Sequence, residues 1–539
     1  MAKNLQITPI GGLGGIGKNM TVYEYGRNLL VVDCGVMFPD NDMYGIDLVL
    51  PDFDYVIEHQ DMLRGIVLTH GHLDHIGALP YLLRHVNVPI YGTPLTLGLV
   101  ERKLEEKNLL DKADLRVLTT SETLHFGPFR VSAFAVAHSI PDAVGFVIET
   151  PVGKVVHTGD YKLDETPAGG RTTDLASLRR LTKGGVLAML GDSTNADSPG
   201  RTETEAVVRE TLDRLFTEAK GRRIIIATFS SLLARLQEIM DLAEKHGRKV
   251  ALTGRSLVEN VELALKLGYL KASDGLIVDV NSRVKRSNLV VLSTGSQGEP
   301  RSALNRMADG SHRQVRVGEG DTIIISGGTI PGNEEDVGRM INNLFERGAN
   351  VIYGEMAKVH VSGHGGRGDM RAMLEAVRPR YLIPVHGEPR HLYLHRQLAE
   401  ETGIKSKDVF ILKEGLPWLS DGEKAWTGEA LSLAEVLVDG RLIGEIGELV
   451  MRDRQRLSQD GFIVALIPIN KKRQLVGEPQ IVSRGFMHME ASEELLDASR
   501  KEIKRQVKRG SKDLRRPLEQ LVYRMTQLRP VVLPQFIQV

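Results

Sequence analysis

Cysteine is almost absent from this chain: Cys34 is the only one among 539 residues. A single thiol cannot close an intramolecular disulfide, so the composition suits a reducing compartment. Nor can it build a cysteine-based zinc site, so any metal must be held by His, Asp or Glu. Net charge is missing as well, with 69 Lys+Arg against 69 Asp+Glu. That balance neither requires nor excludes a polyanionic partner, because a basic groove can be offset by acid elsewhere. No apolar run approaches the roughly 20 residues of a membrane span, and no apolar core follows the opening Met1-Ala2-Lys3-Asn4. Internal repeats and low-complexity tracts are lacking too. The expectation is a cytoplasmic, globular protein with no membrane partner. Its 539 residues exceed one ordinary core and call for two to four domains.

What is present is α/β punctuation. Leu29-Leu30-Val31-Val32-Asp33 and Gly65-Ile66-Val67-Leu68-Thr69 read as buried strands, and Ala78 to Leu83 as helical. From about Glu205 the pattern changes. Ile224-Ile225-Ile226-Ala227, Val290-Val291-Leu292-Ser293 and Thr322-Ile323-Ile324-Ile325 are strand-like, with helical periods after them, as expected of a parallel sheet in a compact α/β insert. Tyr381-Leu382-Ile383-Pro384-Val385 returns to the first style. A linker is expected near Gly444, then a mixed α+β segment. Its basic run holds Lys501, Lys504, Arg505, Lys508, Arg509, Lys512 and Arg515. The run reads as a solvated helix face or as a nucleic-acid contact.

The chemistry concentrates at His70-x-His72-x-Asp74-His75, just after a predicted strand. Four ligand-type residues in six positions, entered through Gly71, can turn towards one point, and imidazole with carboxylate suits Zn²⁺ and, less tightly, Mn²⁺. Further donors follow other strand-like runs: His138 after Phe134-Ala135-Val136, Asp160 after Val155-Val156-His157, and His386 after Ile383-Pro384-Val385. Sites on α/β sheets gather at such strand ends. The expected division puts His70, His72 and His138 on one metal and Asp74, His75 and His386 on the other, bridged by Asp160. A water between two such ions ionises near neutral pH and can attack a phosphodiester or a carbonyl. Asp33 reads either as orienting a ligand histidine or as a buried turn carboxylate.

With His138 and Asp160, this motif resembles the metallo-β-lactamase superfamily. Gly191-Asp192-Ser193-Thr194-Asn195, Thr294 to Pro300, Ile330-Pro331-Gly332-Asn333-Glu334, His360-Val361-Ser362-Gly363-His364 and Pro384-Val385-His386-Gly387-Glu388 resemble the β-CASP nucleases within it. Their order, with the opening Gly11-Gly12-Leu13-Gly14 and the C-terminal segment, is similar to the bacterial ribonuclease J family. The resemblance runs from about residue 5 to the end.

It implies an α/β fold: an αββα sandwich at 1–204 and 365–443, split by an α/β β-CASP insert at 205–364, then a linker at 444–458 and a small α+β domain at 459–539. It implies an RNA hydrolase with 5′-to-3′ exonuclease and endonuclease capacity in RNA maturation and decay, using two Zn²⁺ (or Mn²⁺ or Mg²⁺). Single-stranded RNA with a 5′-monophosphate end, a homodimer or homotetramer, and RNA-decay partner proteins come with it. Asp192 and His364 would be catalytic, with His364 over the scissile phosphate. Phe229, Ser230, Ser231 and the run His360, Val361, Ser362, Gly363, His364 would contact substrate. Gly45, Asp47 and Asp439 match a structural calcium site.

The chain also departs from the family pattern. Gly15 replaces a usual Glu, Leu232 and Ala234 stand where Asn and His are usual, and Arg367-Gly368-Asp369 replaces Gln-Glu-Glu. These departures are expected along the RNA path. Other readings are a DNA-directed nuclease or small-ester hydrolase on the same fold, or a non-catalytic RNA-binding scaffold. A scaffold should have lost metal donors, and none is lost here.

Overall fold

Short apolar runs become the strands of two facing sheets. The computed structural model describes residues 4–167, 171–330, 332–486 and 493–539; Pro331 and Met1 to Lys3, quoted above, lie outside them. The chain divides into two compact units, Met1–Phe38 with Val49–Glu435, and Pro39–Leu48 with Val436–Val539.

In the first unit, an eight-stranded sheet is centred on Leu5–Gly11, Met20–Tyr25, Leu29–Val32 and Leu63–Val67. A six-stranded sheet runs from Pro379–Val385 through Val186–Asp192, Gly153–His157, Val144–Thr150 and Phe129–Ala135 to Thr123–Phe126. Leu5, Ile7, Tyr23 and Leu30 of one sheet pack with Phe129, Phe146, Val155 and Ile383 of the other. Burying such apolar faces against each other is what holds a two-sheet core. The outer face of the six-stranded sheet buries Met189 and Leu382 against Leu178, Met370, Met373 and Leu398 from helices.

Val186–Asp192 and Pro379–Val385 lie side by side in parallel, with Asp192 opposite Val385. The chain leaves the sandwich after the first and is back by helix Arg367–Val377, just before the second. Between them in sequence, Lys249–Thr253, Leu289–Ser293, Arg223–Thr228, Asp321–Ser326 and Asn350–Ile352 form an all-parallel sheet, with Ile277–Val278 at its edge. Continuous runs such as Ile224-Ile225-Ile226 suit strands buried on both faces.

A buried charged cluster lies beneath this sheet's C-terminal edge. Arg235, in helix Leu233–Lys245, donates to Ser326 Oγ at 2.6 Å, to Val359 O at 2.9 Å and, from Nε and Nη2, to Glu205 Oε2. Lys162 Nζ lies 3.2 Å from Asp164 and 3.5 Å from Glu205.

The second unit carries a three-stranded sheet, Gln480–Arg484, Phe462–Ile469 and Val531–Gln538. The alternate residues Ile463, Ala465 and Ile467 face Ile503, Leu518 and Val522 of helices Glu493–Lys508 and Arg515–Thr526. Most of the basic run falls on these helices, and part of it is paired with acid: Lys504 with Glu478, Arg505 with Glu502 and Arg515 with Glu519. The expected linker at 444–458 is instead mostly helix, Glu448–Asp460. This helix buries none of its residues. Among the described residues, no helix is long and apolar enough to cross a membrane.

Candidate metal centre

The candidate donors sit where strands of the two sheets end. Leu29–Val32 stops at Asp33, which takes up a left-handed backbone with φ 62°. His386, just past Pro379–Val385, does the same with φ 54°. Non-glycine residues rarely adopt this conformation, and it persists only where surrounding contacts over-determine it. The His386 N–H donates to Gly12 O at 2.8 Å. Part of the His-x-His-x-Asp-His motif is a short helix, Leu73–Ile76. Gly35 lets that helix approach: a Cβ there would lie 1.6 Å from Asp74 O.

All seven candidate donors converge. His70, His72, His138 and Asp160 form one group and Asp74, His75, Asp160 and His386 another, each with donor atoms within 4.8 Å of one another. Asp160 is common to both. A third group joins Asp160 and His386 to Asp192 and His364.

Within the first group, His72 Nδ1 lies 3.0 Å from His70 Nε2 and 3.2 Å from His138 Nε2. Asp160 Oδ2 lies 3.5 Å and 3.7 Å from the same two Nε2 atoms. Burial is the main force on all three rings and keeps them neutral; His72 is pushed down to about 4. The environment of each ring fixes which nitrogen faces inwards. His138 Nδ1 donates to Gly363 O at 2.8 Å, and His70 Nδ1 lies 3.0 Å from Thr69 Oγ1.

The second group is carboxylate-rich. His75 Nε2 lies 3.2 Å from Asp160 Oδ2 and 3.5 Å from Asp74 Oδ2. His386 Nε2 lies 3.4 Å from Asp74 Oδ2, and its Nδ1 lies 2.9 Å from Asp160 Oδ1. Burial opposes charge on these rings, but Asp160 and its neighbours outweigh it. His75 is held well above the usual range and His386 is raised to about 10. Burial likewise acts to raise Asp74 and Asp160, and the surrounding histidines overcome it and depress both.

Of the two readings of Asp33, the structure places it on a histidine. His75 Nδ1 donates to Asp33 Oδ2 at 2.7 Å, while Thr69 donates to both carboxylate oxygens from its N–H and its hydroxyl, each at 2.8 Å. The result turns His75 Nε2 towards the other donors.

A divalent cation fits this set. Neutral rings presenting lone pairs to one another repel unless a cation lies between them, and ligands about 2.0–2.1 Å from a tetrahedral ion stand about 3.3 Å apart. His386 Nε2 is buried with no hydrogen-bond partner among the described residues, a cost that a metal would remove.

The two residues expected to be catalytic lie against this centre. His364 Nδ1 donates to Asp192 Oδ2 at 2.8 Å, and His364 Nε2 lies 3.9 Å from Asp160 Oδ2. Asp192 Oδ1 accepts from the Thr194 N–H at 3.0 Å and its hydroxyl at 2.8 Å. Burial works against charge on His364, yet Asp192 and Asp160 raise it.

Of the expected substrate contacts, the Phe229 and His360 rings lie 6.3 Å apart. Ser230 O and Oγ both accept from Asn260 Nδ2. Ser231 leads into the helix start, where Leu232 and Leu233 are buried. Val361 is buried, and Gly363 serves the centre through the carbonyl that holds His138.

The departures at 367–369 are structural. Arg367 pairs with Glu401 at 2.9 Å. At position 368 a Cβ would lie 2.9 Å from Gly200 O. Buried Asp369 Oδ2 accepts from the Thr202 N–H at 2.8 Å and the Gly366 N–H at 2.9 Å. Motif reading passed over Asn195, Thr69 and Thr194 as partners of the site. Their signal was adjacency, since each lies within three residues of a functional side chain.

The residues matching a calcium site do not fit one. Asp47 Oδ2 accepts from the Gly440 N–H at 2.8 Å, and Asp439 Oδ2 pairs with Arg454 at 2.5 Å. The same guanidinium donates to Tyr44 O at 2.9 Å and lies over Gly45, where a Cβ would meet Arg454 Nη1 at 2.8 Å. The positive charge among these residues is the protein's own.

Comparison with known proteins places this geometry. Residues 13–197 match the metallo-β-lactamase superfamily, 221–344 the β-CASP domain of ribonuclease J, 350–412 the Zn-dependent metallo-hydrolase RNA specificity domain and 449–539 the ribonuclease J C-terminal domain. The chain is 39% identical over 552 aligned residues to ribonuclease J2 of Bacillus subtilis, covering 100% of this chain and 99% of that one. The chain belongs to the ribonuclease J family. It is similar as well to ribonuclease J 1 of Streptococcus pyogenes, at 38% identity over 97% of this chain and 96% of that one. For ribonuclease J of Thermus thermophilus the figures are 39%, 96% and 90%. A crystal structure of a protein of unknown function from Enterococcus faecalis V583 shares the fold at 15% identity, with a TM-score of 0.54 over 77% of this chain and all of that one. The fold is thus the family's metallo-β-lactamase sandwich with a β-CASP insert and a C-terminal domain, and the His/Asp cluster is its divalent-metal site.

Proposed function

We propose that this chain hydrolyses RNA phosphodiesters at a dinuclear centre, acting both from a 5′-monophosphate end and internally. One observation carries the reading: two donor groups share Asp160, and His364 and Asp192 lie against them. In it, His70, His72 and His138 hold one ion and Asp74, His75 and His386 the other, with Asp160 on both. Zn²⁺ suits the donors best, and Mn²⁺ or Mg²⁺ are the alternatives. Ions bound there supply Lewis acidity and a water ionised near neutral pH.

The chain's own groups do the rest. Asp33 and Gly363 O hold the tautomers of His75 and His138. Asp192 holds His364 at Nδ1, so that Nε2 faces the scissile phosphate. From there it stabilises charge developing on the phosphoryl oxygens or hands a proton to the leaving 3′ oxygen. Phe229, Ser230, Ser231 and the 360–364 segment line the strand's path.

Cytoplasmic location, a homodimer or homotetramer, RNA-decay partner proteins and the domain limits at 204, 364, 443 and 458 belong to the same reading. The calcium site does not.

Digestion of 5′-labelled RNA bearing a monophosphate, triphosphate or hydroxyl end tests the proposal. Mononucleotide release marks the exonuclease and internal fragments the endonuclease; intact RNA with metal-loaded protein sinks both. His364→Ala should slow cleavage about 100-fold with metal content unchanged, and a variant stripped of metal would make His364 a ligand instead.

A further inference from the structure

Three functions hang from residues 360–364. Gly363 O fixes His138, His364 faces the centre, and the Ser362 hydroxyl lies beside it. One side chain outside the segment, Asn195, clamps it. Its Nδ2 is 3.0 Å from His364 O and 2.8 Å from Ser362 Oγ. A backbone carbonyl only accepts, so the Asn195 atom facing His364 O must be the amide nitrogen, and its second hydrogen goes to Ser362. Thr202 Oγ1 also donates to His364 O, at 2.7 Å.

The consequence falls on Ser362. Its oxygen accepts from Asn195 Nδ2 and from the His364 N–H, at 3.1 Å. A hydroxyl has two lone pairs and one proton. With both lone pairs taken, the proton must point elsewhere, and no acceptor among the described residues receives it. Both Asn195 and Ser362 are part-exposed, so that direction is open to a ligand.

We infer that Asn195 is a positioning residue: it makes the Ser362 hydroxyl an obligate hydrogen-bond donor to a non-bridging phosphate oxygen of the RNA, beside His364. The inference rests on the nuclease reading above. It adds a polarity to the segment, which takes an oxyanion and turns away a group that must itself donate. The oxyanion is either the 5′-terminal phosphate or an internal one.

The test is a double-mutant cycle. Asn195→Asp keeps the shape but accepts the Ser362 proton and repels His364 O. Asn195→Ala removes the donor without adding charge, and remains informative if the charged variant does not fold. Cleavage would be measured on RNAs with 5′-monophosphate and 5′-hydroxyl ends, together with competition by a nucleoside 5′-monophosphate and metal content.

We expect each Asn195 variant to lower kcat/KM about 10- to 100-fold, the scale of one hydrogen bond to a charged group. Metal content should stay at the wild-type level, and Asn195→Ala should add little further loss on top of Ser362→Ala. A loss confined to the 5′-monophosphate RNA, with weakened nucleotide competition, assigns the donor to the terminal phosphate. An equal loss on both RNAs assigns it to an internal one. Additive losses from Asn195→Ala and Ser362→Ala, or an inert Asn195→Ala beside a damaging Ser362→Ala, would overturn the role of Asn195 while leaving the nuclease reading intact. If Ser362→Ala itself has no effect, the phosphate contact fails.

Discussion

Two clusters of buried charge lie in the same unit and solve the same problem in opposite ways. Around Arg235, cations and anions come from the chain itself. The guanidinium and Lys162 meet Glu205 and Asp164, and Ser326 and Val359 O take the remaining donors. Around Asp160, carboxylates and imidazoles from three overlapping donor groups face one another. Burial is costly for both unless each charge finds a partner. The first cluster closes on itself. The second is incomplete without ions, which is the difference between a charged core and a functional centre.

The strongest way to break this comparison is to remove a donor from the open cluster. His72→Ala should cut cleavage about 10³-fold or more, the scale expected when a group acting on the reacting atoms is lost, while most RNA binding remains. Normal cleavage by that variant would overturn the assignment of His72.

Removing the cation from the closed cluster should act on stability instead. Arg235→Ala leaves buried Glu205 with only the 3.5 Å contact to Lys162 and should cost about 3–5 kcal/mol, read as the shift in a denaturant midpoint. Metal content in the folded fraction should not change. Metal loss at unchanged stability would show that the two clusters are one.

A smaller effect sharpens the contrast. Glu238 lies 3.9 Å from Arg235, and its Oε2 lacks a hydrogen-bond partner. Burial, against the pull of Arg235, raises its carboxyl to about 7. Because the folded state holds this proton more tightly than the unfolded chain, stability contributed by neutral Glu238 is present at acid pH and is lost as pH rises from about 4.5 through 7. Glu238→Gln should therefore match the wild type near pH 5 and exceed it by on the order of 2 kcal/mol at pH 8. Parallel stability curves across that range would refute it.

The smallest expected effect is none. With Arg454 supplying the charge among Tyr44, Gly45 and Asp439, a calcium-selective chelator should leave the melting temperature unchanged. A clear drop would restore the calcium site.

How much of this could be read from residues alone follows from how far apart the partners are. The donor groups were legible because four of them share one motif and the rest end strands with plain apolar runs. The insert was legible for the same reason: Ile224 to Ala227 and its parallels are unbroken. Asp33 and His75 are 42 positions apart, and only folding shows that one orients the other. Arg454 meets Tyr44 across 410 positions, so motif matching named the calcium-site residues and missed the guanidinium among them. The departures at Arg367 and Gly368 looked like lost RNA contacts. In the structure they also sit at a helix start, Arg367 against Glu401 and Gly368 against Gly200.

The side-by-side pairing of Val186–Asp192 with Pro379–Val385 has a consequence in time. The whole insert is synthesised between them, so this parallel pair closes a very long loop, a slow step that must wait for chain still to come. His386, the last donor in the sequence, follows the second strand. A nascent chain paused anywhere in the insert therefore carries His70 to Asp160 without the residue that completes the second donor group. The order of the chain thus delays the second donor group until the insert has been made.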